Sequence, residues 1–164
     1  MRVEDFIDRH SRALLRSAWL LTGDWASAED LVQVALMRAW QRWESIESDA
    51  PEAYVRRVLL NAFLKGRRRR WANERPVAEL PDQVAVDELS TSDLRQSIRA
   101  ALATLPAKQR AVVVLRYFND LSEAQTADVL GCSVGNVKSQ ASRALAKLRC
   151  TPGLHSLLEE VPHG

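Results

Sequence analysis

Two sets of polar side chains in this sequence are spaced for contact with a polyanion. The first lies in LSEAQTADVLGCSVGNVKSQASRALAKL, which begins at Leu121. If the chain is helical from Ser133 onward, Val134, Val137, Ala141, Ala144, Leu145 and Leu148 form one apolar stripe. Asn136, Lys138, Ser139, Gln140, Ser142, Arg143 and Lys147 then occupy the opposite face, and no acid stands between Ser133 and Arg149. A helix that enters a DNA major groove needs side chains that pair with base edges and cations that offset phosphate charge. The bland alternative is a helical hairpin with a solvated face, but such faces normally mix both signs of charge. The second set is Arg57, Asn61, Lys65 and Arg68, which helical spacing puts in one row. Cations around a single amide suit a groove that tracks a phosphate backbone and reads one base. Read alone, the run at 67–70 equally fits a localisation signal, an RNA-binding arm or a solvated helix end.

Other chemistries lack their residues. Glu29 and Asp30 are adjacent, hence not on one helical face, and no second acidic pair completes a nuclease-type site. Cys132 and Cys150 match no zinc spacing, and His10, His155 and His163 are scattered. No catalytic residue, metal site or cofactor is therefore predicted, and the chain reads as a binding protein rather than an enzyme.

The elements that must position these residues all read as helix, without the period-two alternation of a strand. Ser122 and Gln125 have capping-box spacing, Gly131 suits a tight turn, and Ser133 is placed to cap the next helix. Upstream, helices are expected at about Asp93–Ala103 and Pro106–Phe118. In the first half, Phe6, Leu14, Leu15, Ala18, Trp19 and Leu21 suggest a helix ended near Gly23. A second runs from Ser27, read as its cap, to Trp43, with Ala28, Leu31, Val32, Ala35, Leu36, Ala39, Trp40 and Trp43 as its apolar stripe. A third starts at Pro51, turns Tyr54, Val55, Val58, Leu59, Ala62 and Phe63 inward, and ends in the arginine run.

Charge divides the same way. Residues 76–93 hold five acids and no Lys or Arg, whereas residues 94–149 hold nine basic residues against three acidic ones. With 164 residues, 46% of them hydrophobic and 27% charged, the chain is ordinary for globular protein and long enough for two small domains. The expected fold is all-α: a helical domain at 1–72, a flexible acidic linker at 73–92, a second domain with the helix-turn-helix at 93–150, and a tail at 151–164. No apolar run approaches the roughly 18–20 residues of a membrane span, and Glu4, Asp5 and Asp8 argue against a secretory signal, so a cytoplasmic location is expected. A simple helix-turn-helix repressor would need a sensor or dimerisation domain. Residues 1–72 offer neither a ligand-pocket signature nor a heptad pattern.

Taken together, these segments resemble the extracytoplasmic-function (ECF) sigma factors of RNA polymerase, particularly actinobacterial members, over roughly residues 4–150. LLTGD at 20–24 and ASAEDLVQVALMRAWQRW at 26–43 are similar to conserved region two, whose helix docks in that family on the clamp helices of the polymerase's largest subunit. PEAYVRRVLLNAFLKGRRRRW at 51–71 resembles the part that opens and reads the minus-ten element. LATLPAKQRAVVVLRYFNDLSEAQTADVLGCSVGNVKSQASRALAKLR resembles region four, the reader of the minus-thirty-five element. The resemblance implies polymerase contacts at Asp30, Leu31 and Gln33, and minus-ten contacts at Arg57, Asn61, Lys65, Arg67 and Arg68. It implies minus-thirty-five contacts at Lys138, Ser139, Ser142 and Arg143, with Asn136 and Gln140 nearby. The implied partners are core RNA polymerase, through the clamp helices and the beta flap, promoter DNA, and an anti-sigma factor that no residue here identifies. Val34, Leu60, Asn136 and Gln140 depart from the family's usual acid, Arg, Thr and Arg, which leaves the promoter sequence open.

Overall fold

A computed structural model describes residues 1–73 and 92–150, with backbone alone for 67–73 and for Ser92. The predicted acidic linker, apart from its end residues, and the tail at 151–164 lie outside the described residues. The regular structure among the described residues is entirely helical, as expected of an all-α chain. The chain divides into two compact units, Met1–Ala78 and Glu79–Gly164.

The first unit is built from α1 (Val3–Thr22), α2 (Trp25–Gln41), the short α3 (Trp43–Ile46) and α4 (Pro51–Asn73). Its core holds Phe6, Ala18, Trp19 and Leu21 of α1, Ala28, Val32, Ala35 and Ala39 of α2, and Val55, Val58, Leu59, Leu60 and Phe63 of α4. The alanines let α2 approach its neighbours closely, so large groups from α1 and α4 fill the space between. Gly23 ends α1 with φ 71°, a conformation that costs glycine little. Thr22 Oγ1 donates to the Ala18 carbonyl at 2.9 Å and accepts from the Asp24 N–H at 3.3 Å, which shapes the LLTGD turn.

Two sequence expectations need correction here. Asp24, not Ser27, caps α2: its carboxylate accepts from the Ser27 N–H at 3.1 Å and from the Ser27 hydroxyl at 2.6 Å. The helix starts earlier because Trp25 stacks on Trp19, with centroids 5.1 Å apart and planes at 16°, and this brings Asp24 to the capping position. Nor does α2 run unbroken to Trp43. It stops at Arg42, and Trp43 begins α3, with its ring 5.2 Å from Phe6 and its indole N–H donating to the Met1 carbonyl at 3.0 Å.

The second unit contains α5 (Ser92–Ala103), α6 (Ala107–Val113), a π-helical turn (Val114–Phe118), α7 (Glu123–Leu130) and α8 (Val134–Arg149). Its core is mainly aliphatic: Ala101, Leu102, Leu105, Val112, Val113, Val114, Leu115, Val129, Val137, Ala144 and Leu148. Arg110, Arg116 and Thr126 are buried polar residues in the same unit, and Arg110 has the plainest role. Only 2% exposed, it donates to the carbonyls of Leu102 (2.8 Å), Ala103 (3.4 Å) and Leu105 (2.9 Å), so a cation satisfies the C-terminal end of α5. The expected single helix from Pro106 to Phe118 winds into π geometry over its last five residues, and the Val114 carbonyl accepts from both the Asn119 N–H at 3.0 Å and the Asn119 side-chain amide at 2.9 Å.

Candidate nucleic-acid and polymerase interfaces

The turn between α7 and α8 is made by local chemistry. Ser122 Oγ accepts from the Gln125 N–H at 3.0 Å while Gln125 Oε1 accepts from the Ser122 N–H at 2.9 Å, the reciprocal box that the sequence predicts. Gly131 closes α7 at φ 66°, and the Ser133 hydroxyl accepts from the Asn136 N–H at 3.0 Å to start α8. Val112 from α6, Ala127 from α7, and Val137 and Ala141 from α8 share one buried cluster, with Leu130 and Cys132 packed against it. That cluster fixes which side of α8 faces outward.

On the outward side Lys138, Ser139, Ser142 and Arg143 are exposed, together with Lys147. Asn136 and Gln140 are half-buried at the edge of this face, and Asn136 Oδ1 is shielded without a hydrogen-bond partner among the described residues. The predicted buried stripe holds at Val137, Ala141, Ala144 and Leu148, while Leu145 is half-buried. Val134 departs from it and is exposed, because the first helical residue projects beyond the α7 contact. The result is a projecting helix with hydroxyls and cations on one open side.

On α4 the backs and fronts of the helix separate as cleanly. Arg57, Asn61 and Lys65 are exposed in one row, and Val55, Val58, Leu59 and Phe63 are buried opposite. Arg67 and Arg68 continue the helix, but their side chains lie outside the described residues. Leu60 is 1% exposed, so the position before Asn61 serves the core.

On α2, Asp30 and Gln33 are exposed and Leu31 is half-buried. Asp30 and Leu31 border a small cavity of about 140 Å³ that Thr22, Ser27, Phe63 and Gly66 also line. Beside them the structure reveals residues that periodicity assigned otherwise or passed over. Val34, Met37 and Trp40 are exposed, Trp40 by 54%, although Trp40 counted as part of the buried stripe. The inward stripe of α2 is narrower and made of small residues, which leaves a second apolar strip on the outer side. Exposed apolar groups at i, i+3 and i+6 were the available signal, since one amphipathic helix needs only one apolar face.

Comparison with known proteins shows the family. Residues 6–73 match the family model "Sigma-70 region 2", and residues 95–148 match "Sigma-70, region 4". The chain is 41% identical over 150 residues to the RNA polymerase sigma-E factor of Streptomyces coelicolor, covering 91% of this chain and 85% of that protein. It is 37% identical over 150 residues to the ECF RNA polymerase sigma factor SigL of Mycobacterium tuberculosis, covering 88% and 85%. The chain belongs to the ECF sigma factors. As a sigma factor it serves promoter-specific transcription initiation with RNA polymerase. Among solved structures, this sigma factor is similar to RpoE of Bartonella quintana in complex with the anti-sigma factor NepR, with a TM-score of 0.69, 30% identity, and 96% and 98% of the two chains covered. It is also similar to CnrH in complex with the cytosolic domain of CnrY, with a TM-score of 0.66, 25% identity, and 96% and 87% covered. No helix among its described residues is long and apolar enough to cross a membrane.

Proposed function

We propose that this sigma factor grips a promoter at two places while held on core RNA polymerase, acting by binding and not by catalysis. Residues 93–150 read the minus-thirty-five duplex through Lys138, Ser139, Ser142 and Arg143, with Asn136 and Gln140 at the edge of the contact. Residues 1–72 hold the melted minus-ten strand along Arg57, Asn61, Lys65, Arg67 and Arg68. The same unit docks on the polymerase clamp helices through Asp30, Leu31 and Gln33, and the beta flap receives the second unit. One observation carries the reading: a capped helix in a helix-turn-helix turns an acid-free face of cations and hydroxyls outward.

Each unit presents few base-reading groups, so neither binds promoter DNA tightly alone. Mounting both on polymerase raises their effective concentration at the promoter. Unstacking a minus-ten base costs a few kcal/mol, which phosphate contacts along α4 and a base pocket must offset. The site of action is the cytoplasm, where the polymerase and its template are. An anti-sigma protein is a further partner, on the ground that RpoE is bound to the anti-sigma factor NepR.

Run-off transcription with core enzyme, followed by mapping of the start sites, tests the proposal. Transcripts should start downstream of a shared pair of elements, and K138A/R143A should reduce initiation from templates whose upstream element is intact. No association with core enzyme, or no defined start sites, would refute it.

A further inference from the structure

The acid-free side of α8 is not the whole electrostatic environment of that helix. Beside it the second unit has an open recess of about 310 Å³, lined by Lys138, Ser142 and Arg149 of α8 and by Arg116 and Tyr117 of the π-helical turn. Glu123, the first residue of α7, lines the same recess. Arg116 is 7% exposed, and its guanidinium donates to the Leu121 carbonyl just before α7. Three cations and two hydroxyl-bearing residues around one concavity suit an oxyanion such as a backbone phosphate. A carboxylate in the same concavity opposes that oxyanion, since like charges at short range repel most where water is partly excluded.

We propose that Glu123 is an affinity brake: its negative charge, in the recess that Arg116, Lys138 and Arg149 also line, weakens phosphate entry beside α8 and so keeps the free subunit off bulk DNA. The inference rests on the proposed reading of α8 as the duplex-facing helix. Phosphate contacts carry no sequence information, so the brake lowers affinity for every sequence by the same factor. Only the added contacts of the polymerase-bound state then overcome it at promoters, which matters because non-specific sites vastly outnumber promoters. A carboxylate in the first turn of α7 also suits the helix dipole. That role alone predicts a change in stability with no change in DNA affinity.

The test compares the full-length chain, free and bound to core polymerase, with E123Q, E123A and D128N. Asp128 lies on the exposed side of α7 and does not line the recess, so D128N makes the same change in net charge elsewhere on the same helix. E123Q and E123A should bind a promoter-free duplex and a minus-thirty-five duplex roughly two- to five-fold more tightly than the unaltered chain, by a common factor. Their log–log salt slopes should steepen by up to about one. D128N should leave both unchanged. The proposal is overturned if E123Q binds no tighter than D128N, or if it gains affinity only for DNA with one particular base, which would make Glu123 a base reader. K138A/R143A in the same assay tests the underlying reading separately: unaltered binding to minus-thirty-five duplex would remove that reading, and the brake with it.

Discussion

The two units carry similar polar surfaces on different supports. In the first, long helices are held by large groups: Trp19 stacked on Trp25, Phe6 between His10 and Trp43, and Phe63 beneath the polar row of α4. In the second, mostly shorter helices add a capping box and a buried arginine that satisfies three carbonyls to the glycine turn and side-chain cap that the first unit also has at Gly23 and Asp24. A short helix has as many unpaired terminal groups as a long one, so its ends weigh more. The first unit also leaves an apolar strip uncovered on α2, whereas the outward side of α8 exposes hydroxyls and charge. One surface suits a protein partner and the other suits nucleic acid.

Breaking the end chemistry should distinguish the supports most sharply. Arg110→Met removes the donor that serves Leu102, Ala103 and Leu105, at an expected cost of about 3 kcal/mol. Calorimetry should show the second unit melting earlier while the first keeps its transition; one unshifted transition would contradict the contrast. The uncovered strip comes next. Met37→Ala with Trp40→Ala should weaken binding to core polymerase by about 2 kcal/mol, measurable by titration of labelled protein. The melting temperature should hardly move, because both side chains are already exposed.

Arg143→Ala should cost about 1–3 kcal/mol at a matched minus-thirty-five element and relax preference at one base position, as read by holoenzyme binding to single-base variants. A uniform loss at all sequences would make Arg143 a phosphate contact instead. The smallest effect is expected at the turn. Gly131→Ala forces an alanine to φ 66° and should destabilise the second unit by about 1 kcal/mol without altering base preference.

What the sequence made legible follows from range. Ser122, Gln125, Gly131 and Ser133 act within three or four residues of themselves, so their roles were readable and the structure bears them out. The row Arg57, Asn61, Lys65 needed only helical periodicity, and it too stands exposed. Trp40 was misjudged because periodicity finds apolar faces without saying which one a neighbour covers. Ser27 was misjudged because the Trp19–Trp25 stack, formed between two helices, fixes where α2 begins. Arg110 was unreadable for a similar reason: its partners are carbonyls, which every residue possesses, and only the fold brings three of them together. Glu123 shares its recess with Arg116, seven residues earlier, and with Lys138 and Arg149, fifteen and more residues later, so nothing within a helical turn marks it.

The π-helical turn over Val114–Phe118 has a consequence for how the second unit can diversify. One extra residue wound into a helix advances every later side chain by about 100°. Val112 to Leu115 can therefore point into the core while Arg116 and Tyr117, about one turn after Val112 and Val113, line the recess beside α8. The turn works as a phase shifter between packing and recognition. Within it Val114 and Leu115 still answer to the interior and Tyr117 to the recess, so recess chemistry can change at Tyr117 with little disturbance to the hydrophobic interior.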